Sequence, residues 1–202
     1  MTDKKKSKKK VLFFFVAGMC LVIAVAFAIY FNYMKKQQIP EKERTPRTEE
    51  EKLIAKDLEM GYPETPKEVV RLFCRMNQCI YNTALREEQL SSLVAQLRML
   101  YSEKLKEENP QKKMQTKISA DVEKYKKEKK VIVNYTVDEP GNYRYKTIDG
   151  CENVYVKYSY FMRDGSKYST WKQKAVLVKE NDKWKIMGFG SLGKSQDKKS
   201  GK

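Results

Sequence analysis

The chain has 202 residues, a formal net charge of +16 and no histidine. This length allows one domain of ordinary size beside a membrane segment, and the missing imidazole excludes histidine-based catalysis and histidine metal ligands. Residues 50–193 carry only +6 of this charge. The rest lies in three segments outside them: Met1–Lys10, Lys35–Glu49 and Lys194–Lys202. This distribution indicates membrane contact and solubility rather than a groove for nucleic acid.

An apolar run of 24 residues, Val11–Met34, is the strongest feature near the N-terminus. As a helix it would be about 36 Å long, enough to cross a hydrocarbon core of about 30 Å. Tyr30, Phe31 and Tyr33 match the aromatic belt at a membrane interface. We expect this segment to contact membrane lipid as a spanning helix. The small residues of Ala26–Ala28 leave a cleaved signal peptide as the alternative.

The basic residues beside this run predict its orientation. Six lysines lie in Met1–Lys10, whereas only Lys35 and Lys36 lie close to the other end. This asymmetry predicts a single-pass protein of the cell membrane, with a cytoplasmic N-terminus and an extracytoplasmic C-terminal domain. The predicted parts are a basic cytoplasmic tail (1–10), a transmembrane helix (11–34), a charged linker (35–51), an α+β domain (52–193) and a disordered basic tail (194–202).

Apolar spacing predicts several helices in the first half of the domain. A short helix is expected on Leu53, Ile54, Leu58 and Met60. The clearest helix start follows, with Thr65 as N-cap, Pro66 at the first helical position and Glu68 completing a capping box. Its buried face is expected to contain Val69, Phe73, Met76 and Ile80. Two further apolar stripes run over residues 90–105 and 114–125, and we expect them to pack on a sheet rather than form a dimer seam.

From Val131 the apolar period changes from helical spacing to two, which predicts strands. Turn signals separate these strands at Pro140-Gly141, Asp149-Gly150, Asp164-Gly165 and Asn181-Asp182. Trp171, Trp184 and Ile186 are predicted to be core residues under the helices, with Phe189 on the opposite face of the last strand. Helices followed by a hairpin-linked antiparallel sheet indicate an α+β fold with the helices on one face.

This order of elements, with the late segment KYSTWKQKAVLVKENDKWKIMGF, resembles the cone-shaped fold of nuclear transport factor two and its cystatin-like relatives. The whole chain, with its lysine tail, its TPKEVVRLFCRMNQCIYN helix and its DKWKIMGF ending, is similar to an uncharacterised family of small bacterial membrane-anchored proteins. The resemblance implies a curved sheet around N-terminal helices. It implies no particular chemistry, since that fold includes enzymes, scaffolds and envelope components.

The cysteines predict neither a disulfide framework nor a metal site. Cys74 and Cys79 are five residues apart on a predicted helix, about 140° around its axis, and Cys151 follows a turn. We expect all three to be small buried or half-buried residues. The sequence contains no CxxC motif, and we expect no cofactor and no bound metal.

Three functional hypotheses remain open. An enzyme of this fold would need phenols and a carboxylate inside the cone, and the candidates are Tyr135, Tyr143, Tyr145, Tyr155, Tyr158, Tyr160, Asp121 and Asp149. A nucleic-acid site would use KYKKEKK and the lysines at 172, 174 and 179 with Tyr168 and Trp171. We expect neither, because tyrosine is common on half-buried strands and the lysines alternate with apolar positions.

The third hypothesis is a non-enzymatic interaction or scaffold module of the bacterial cell envelope, binding a protein partner or a second copy of itself. Its motivation is a set of aromatic residues that do not all fit inward: Tyr155, Phe161, Tyr168 and Phe189. Uncovered aromatic residues of this kind commonly mark contact surfaces. A small apolar ligand or an isomerase-like or hydrolase-like reaction in the cone is the alternative.

Overall fold

The computed structural model describes residues 48–148 and 150–192, where a helical half precedes a sheet. The helices are α1 (Glu49–Ile54), α2 (Pro66–Asn82), α3 (Glu87–Met99), α4 (Glu103–Glu108) and α5 (Gln111–Lys127). The strands are β1 (Lys130–Val137), β2 (Arg144–Ile148), β3 (Cys151–Asp164), β4 (Lys167–Glu180) and β5 (Lys183–Ser191). The predicted α+β order, with helices on a curved antiparallel sheet, is confirmed.

Several predictions fall outside the described residues: the basic tail 1–10, the spanning helix 11–34, the linker up to residue 47, Asp149 and the tail 194–202. Within the described ranges, none of the helices is both long enough and apolar enough to cross a bilayer.

The domain begins earlier than the predicted boundary at residue 52, because α1 starts at Glu49. The Thr48 N–H donates to the Glu51 carboxylate at 3.3 Å, which closes the first turn of this helix. Glu49 forms an ion pair with Arg75 of α2, and Leu53 is buried. The last three residues of the predicted linker are therefore part of the folded domain.

The prediction of a short helix from Leu53 to Met60 is wrong at its end, because α1 ends at Ile54. The Asp57 carboxylate accepts the N–H groups of Glu59 at 2.9 Å and Met60 at 3.1 Å, and this turn follows α1. Leu58 is buried as expected, but Met60 is 88% exposed. A short polar side chain that binds nearby backbone favours such turns over a continued helix.

The predicted start of α2 is confirmed. The Thr65 hydroxyl accepts the Glu68 N–H at 3.2 Å, the Glu68 carboxylate accepts the Thr65 N–H at 3.1 Å, and Pro66 is the first helical residue. The apolar face is fully buried, as predicted, at Val69, Phe73, Met76 and Ile80. This helix lies across the sheet, with contacts to β1, β3 and β5.

The spacing of the second apolar stripe predicts one helix, but the structure has two. The stripe divides into α3 and α4, and the break at Leu100–Ser102 pairs with the last strand. The Leu100 carbonyl accepts the Ile186 N–H at 2.8 Å, and the Ser102 N–H donates to the Ile186 carbonyl at 2.9 Å. The Ser102 hydroxyl then accepts the Leu105 N–H at 3.2 Å and caps α4. The third stripe forms α5 as predicted, with Ile118 and Val122 buried.

The sheet is antiparallel, with strand order β1-β3-β4-β5 and β2 paired to the first part of β3. Its helix-facing side is buried along β3 at Val154, Val156, Tyr158, Tyr160 and Met162. The predicted turn at Asn181-Asp182 is confirmed, with φ values of 48° and 60°. Two consecutive left-handed residues are typical of tight two-residue hairpins, and this turn joins β4 directly to β5.

A bulge at Val133 shifts the register of β1 against β3, between Ile132 and Asn134. Two side chains of α2 bind the backbone at this point. Asn82 accepts the Ile132 N–H at 3.0 Å and donates to its carbonyl at 2.8 Å, while Gln78 donates to the carbonyls of Ile132 and Val133. The helix thereby pairs backbone groups that an edge strand would leave free.

A second bulge, at Met187, overturns the predicted orientation of Phe189. Leu177 pairs with Ile186, but Val176 pairs with Gly188, so β5 has one extra residue between them. An extra residue reverses which face the following side chains take. Phe189 therefore lies on the helix-facing side, with its ring centroid 5.0 Å from that of Phe73 and 5.9 Å from that of Tyr101.

The two tryptophans provide a matched test of this fold. Trp184 is 9% exposed and Trp171 is 38% exposed. We expect Trp184→Ala to lower the free energy of unfolding by about 3 to 5 kcal/mol, typical of a large aromatic removed from a core. Trp171→Ala should cost about 1 kcal/mol or less. Urea unfolding of both variants measures this, and equal losses would contradict the burial of Trp184.

Candidate interaction surface

The exposed aromatic residues concentrate where the β3–β4 hairpin extends past the helices. In this hairpin tip, defined as residues 161–172, every residue from 163 to 172 is exposed. Phe161 is 38% exposed and Tyr168 is 74% exposed. Phe161 pairs with Thr170 and Arg163 pairs with Tyr168, so the two aromatic rings are diagonal neighbours on one face. The expectation that Phe161 and Tyr168 do not fit inward is confirmed.

Trp171 lies on the other side of the hairpin tip, because it pairs with the buried Tyr160. The prediction that it is a core residue is wrong, since 38% of it remains exposed. Tyr125 of α5 is its aromatic neighbour, with the rings edge-to-face at 6.4 Å, and Tyr125 in turn stacks near Tyr81 at 4.6 Å. The helical layer thus contacts one side of the indole and leaves the rest open.

The remaining predicted core residues lie where expected. Phe73 is 3% exposed and its ring meets Tyr158 edge-to-face at 6.0 Å. Trp184 and Ile186 both face the helices, and the Trp184 carbonyl accepts the Tyr62 hydroxyl at 2.7 Å. Thr65, Pro66 and Glu68 form the start of α2. None of these residues adjoins the hairpin tip, so their role is structural.

The tyrosines weighed as catalytic groups are mostly locked into the packing. Tyr158 and Tyr160 are buried and meet edge-to-face at 5.5 Å. Burial raises the pKa of each phenol above its ordinary value. The Cys74 thiol lies beside the Tyr160 hydroxyl, which no other polar atom contacts within the described residues. Burial raises the pKa of Cys74 to about 12, so this thiol is protonated at neutral pH and is a poor nucleophile.

The other catalytic candidates are dispersed. The Tyr143 hydroxyl donates to the Asp138 carbonyl at 3.0 Å, and burial raises its pKa to about 12. Tyr145 is 52% exposed, and Asp121 is exposed on α5. Cys74 and Cys79 are buried free thiols, as expected, but Cys151 is exposed. Within the described ranges, no cluster of three potential ligands is placed to hold a metal ion.

Two of the grooves among the helices of the described residues are lined by several charged side chains. One, of about 1020 Å³, lies between α3 and α5 and is lined by polar side chains of both charge signs, including Glu87, Glu88 and Lys112. The second, of about 380 Å³, is lined in part by Glu68 and Arg75. Both of those charges already have partners, in the Thr65 cap and the Glu49 ion pair. These groups stabilise the fold rather than assemble a reactive site.

Sequence reasoning missed one unusual cation, Lys185 on β5. Its ammonium group lies 4.1 Å from the centroid of the Tyr62 ring and donates to the Met99 carbonyl at 2.7 Å. Burial, with the positive charges of Lys106 and Lys183, lowers the pKa of Lys185 to about 8. Alternation in β5 indicates only that Lys185 faces away from the core. Its neighbours come from distant segments that no local pattern connects to it.

The chain was compared with known proteins. A family model described as a domain of unknown function, DUF6715, matches residues 1–189. The chain belongs to this family. The matched region includes the apolar run 11–34 as well as the domain, so both are parts of one family pattern. No curated protein matches the chain.

Among solved structures, the chain is similar to the intermembrane space region of the chloroplast protein ARC6. The sequences are 11% identical, and the match covers 64% of this chain and 98% of that one, with a TM-score of 0.29. A superposition this loose carries no argument about the fold or function of the DUF6715 chain.

The position of Lys185 predicts a pH-dependent stability. Its pKa is about 8 in the folded domain against 10.5 for an ordinary lysine, so the unfolded chain binds more protons between these values. The free energy of unfolding attributable to Lys185 should therefore rise with pH across that window. We therefore compare the free energy of unfolding of Lys185→Met with that of wild type. The variant should be more favoured in this comparison at pH 7.5 than at pH 9.5. Urea unfolding at both values measures this, and a difference that does not vary with pH would contradict it.

Proposed function

We propose that this DUF6715 chain is a membrane-anchored, non-enzymatic interaction or scaffold module of the bacterial cell envelope. Residues 11–34 are its single membrane span, the N-terminus is cytoplasmic and the domain lies outside the cytoplasm. The curved sheet with helices on one side supports a cone of the nuclear-transport-factor-two type. The observation that carries the proposal is the hairpin tip, where Phe161, Tyr168 and Trp171 are exposed together.

Exposed aromatic residues support an interaction role for a physical reason. Each ring offers a large apolar area at a low conformational cost, and aromatic residues are enriched where proteins bind one another. The three rings lie on both sides of one short hairpin, with Phe161 and Tyr168 on one side and Trp171 on the other. Trp171 is the natural anchor, since burial of a partly exposed indole adds apolar contact without disturbing its packing on Tyr125.

The alternative function, a ligand-binding or isomerase-like site within the cone, has less support. Such a site needs a cavity beside a polar group held for proton transfer. In this domain Tyr158 and Tyr160 pack against each other, and Phe73 lies against Tyr158. The side chains on the helix-facing side of β3 therefore occupy the space that a substrate would need.

The topology is tested by protease access to the C-terminal lysines of residues 194–202, or to a tag fused there, on intact cells. We expect digestion without lysis, because the asymmetry of basic residues favours a domain outside the cytoplasm. A cytoplasmic protein serves as the control for cell integrity. Protection until lysis would place the domain in the cytoplasm and restore nucleic acid as a partner.

The interaction role is tested by a photo-reactive residue introduced at Trp171 of the full chain in its native membrane. We expect a discrete cross-linked product of higher mass, from a protein partner or a second copy of the chain. The matched control is the same photo-reactive residue at Met60. Met60 is more exposed than Trp171 but lies in the turn after α1, away from the hairpin tip. Products that are absent at position 171, or identical at both positions, would contradict an interface at the hairpin tip.

A further inference from the structure

The outer face of the sheet, defined as the side opposite the helices, is strongly basic. Side chains alternate between the two sides of each strand, so the buried positions of β3 and their cross-strand partners determine which residues face outward. Six exposed cations lie at outward positions: Arg144, Lys146, Lys157, Arg163, Lys172 and Lys174.

Few carboxylates balance these charges on the outer face. Two acidic residues lie at outward positions: Asp138, just after β1 and opposite Lys157, and Glu180, which pairs with Lys183 at the end of β4. The salt bridges among residues 48–148 and 150–192 all involve other cations. Neither Asp138 nor Glu180 forms a salt bridge within that part of the chain. The outer face therefore carries a large excess of positive charge.

The arrangement of the lysines costs stability. Lys157 pairs directly with Lys174 across two strands, and Lys172 is the diagonal neighbour of Lys157. Like charges at directly opposed positions destabilise a sheet. By contrast, the lysines at 126 and 130, in α5 and at the start of β1, are paired with nearby glutamates. The outer face thus keeps a cluster of like charges without carboxylate partners, unlike Lys126 and Lys130.

The dimensions of the cluster fit an extended anionic surface rather than a single small anion. It reaches from Lys146, which pairs with Asn153, to Arg163. Asn153 and Arg163 are ten residues apart along β3. At strand spacing this is about 33 Å long. Aromatic side chains lie within the same field: Lys146 is 5.9 Å from the ring centroid of Tyr155, and Phe161 and Tyr168 mark the far end. Basic and aromatic residues together are typical of surfaces at the headgroup level of a membrane.

We propose that the outer face binds the anionic phosphate headgroups of the bilayer in which the same chain is anchored. This inference rests on the proposed membrane anchor. Residues 35–47 separate the apolar run from the described domain, and thirteen residues span at most about 45 Å. A bilayer held this close has a high effective concentration, so modest attraction per lysine is sufficient for contact. A nucleic acid has similar charge but no such tether.

The proposal is tested with the full chain reconstituted in nanodiscs of neutral lipid, with or without phosphatidylglycerol. Acylation of individual lysines, followed by mass spectrometry, measures their accessibility. We expect protection of Lys157, Lys172 and Lys174 only in the anionic discs, and its loss at high salt. Lys113 and Lys117, exposed on α5, serve as internal controls and should react equally in both discs.

The alternatives give different results. Equal acylation in both discs, with the chain still bound to them, would overturn the headgroup proposal and leave the anchor intact. A chain that separates from the discs during gel filtration would show instead that the anchor itself has failed, and the inference with it. Protection by a single-stranded oligonucleotide in neutral discs, without protection by anionic lipid, would overturn the proposal in favour of nucleic acid.

Matched charge variants make the test independent of labelling. The triple variant Lys157→Gln, Lys172→Gln, Lys174→Gln removes three outer-face charges, and Lys113→Gln, Lys117→Gln, Lys124→Gln removes the same number from α5. Full chains in neutral nanodiscs are mixed with vesicles containing phosphatidylglycerol, and binding is measured by flotation. We expect the outer-face variant to bind about 100-fold more weakly, and the α5 variant to bind like wild type. Equal losses in the two variants, or no binding by wild type, would overturn the proposal.

Discussion

The backbone pairing of Ile186 with the segment Leu100–Ser102 is the constraint on which the domain depends most. Ile186 is completely buried, and both of its backbone polar groups bond to this segment. An unpaired buried amide would cost about 1 to 3 kcal/mol, so these bonds stabilise the last strand in addition to its pairing with β4. The pairing also interrupts the apolar stripe between α3 and α4. It therefore determines the shape of the helical layer and the position of β5 together.

Backbone contacts from the helical half protect β5 and β1, which lie on opposite edges of the sheet. On β5, the Leu100–Ser102 segment and the Tyr62 hydroxyl bind backbone groups of Trp184 and Ile186. On β1, Asn82 and Gln78 of α2 bind the backbone at the Val133 bulge. Free edges invite pairing with other chains, and these contacts reduce that hazard. Within the described residues β2 pairs with β3 alone, so the domain offers partners its faces, its hairpin tip and the other side of β2.

Much of this fold follows from local patterns, and the exceptions have specific physical causes. The Thr65 cap and the apolar stripes depend on residues a few positions apart, so the sequence is sufficient to predict them. The break at Tyr101 depends instead on hydrogen bonds to Ile186, 85 residues later, which no helical period contains. Phe189 changes sides because one extra residue enters β5, and alternation alone cannot locate a bulge.

The candidate surfaces were predictable to different degrees. An excess of aromatic residues over inward positions correctly indicated that Phe161 and Tyr168 are exposed. Trp171 shares a side of β4 with the buried Ala175, which favours a core position, but 38% of Trp171 remains exposed. The basic character of the outer face depends on register across three strands. Residues 144, 157 and 174 are far apart in sequence and become neighbours only after β2, β3 and β4 pair.

The unpaired charge of the outer face is consistent with a domain whose sheet needs little further stability. Helices cover the opposite side and hold the backbone of β1 and β5, so repulsion between Lys157 and Lys174 acts on a sheet that is already packed from behind. Such a sheet can present cations at fixed spacings without rearranging, which lowers the entropic cost of meeting a flat anionic surface. The hairpin tip continues the same strands beyond the helices. A bilayer under the outer face would leave Trp171, on the helix-facing side of that tip, free for a protein partner.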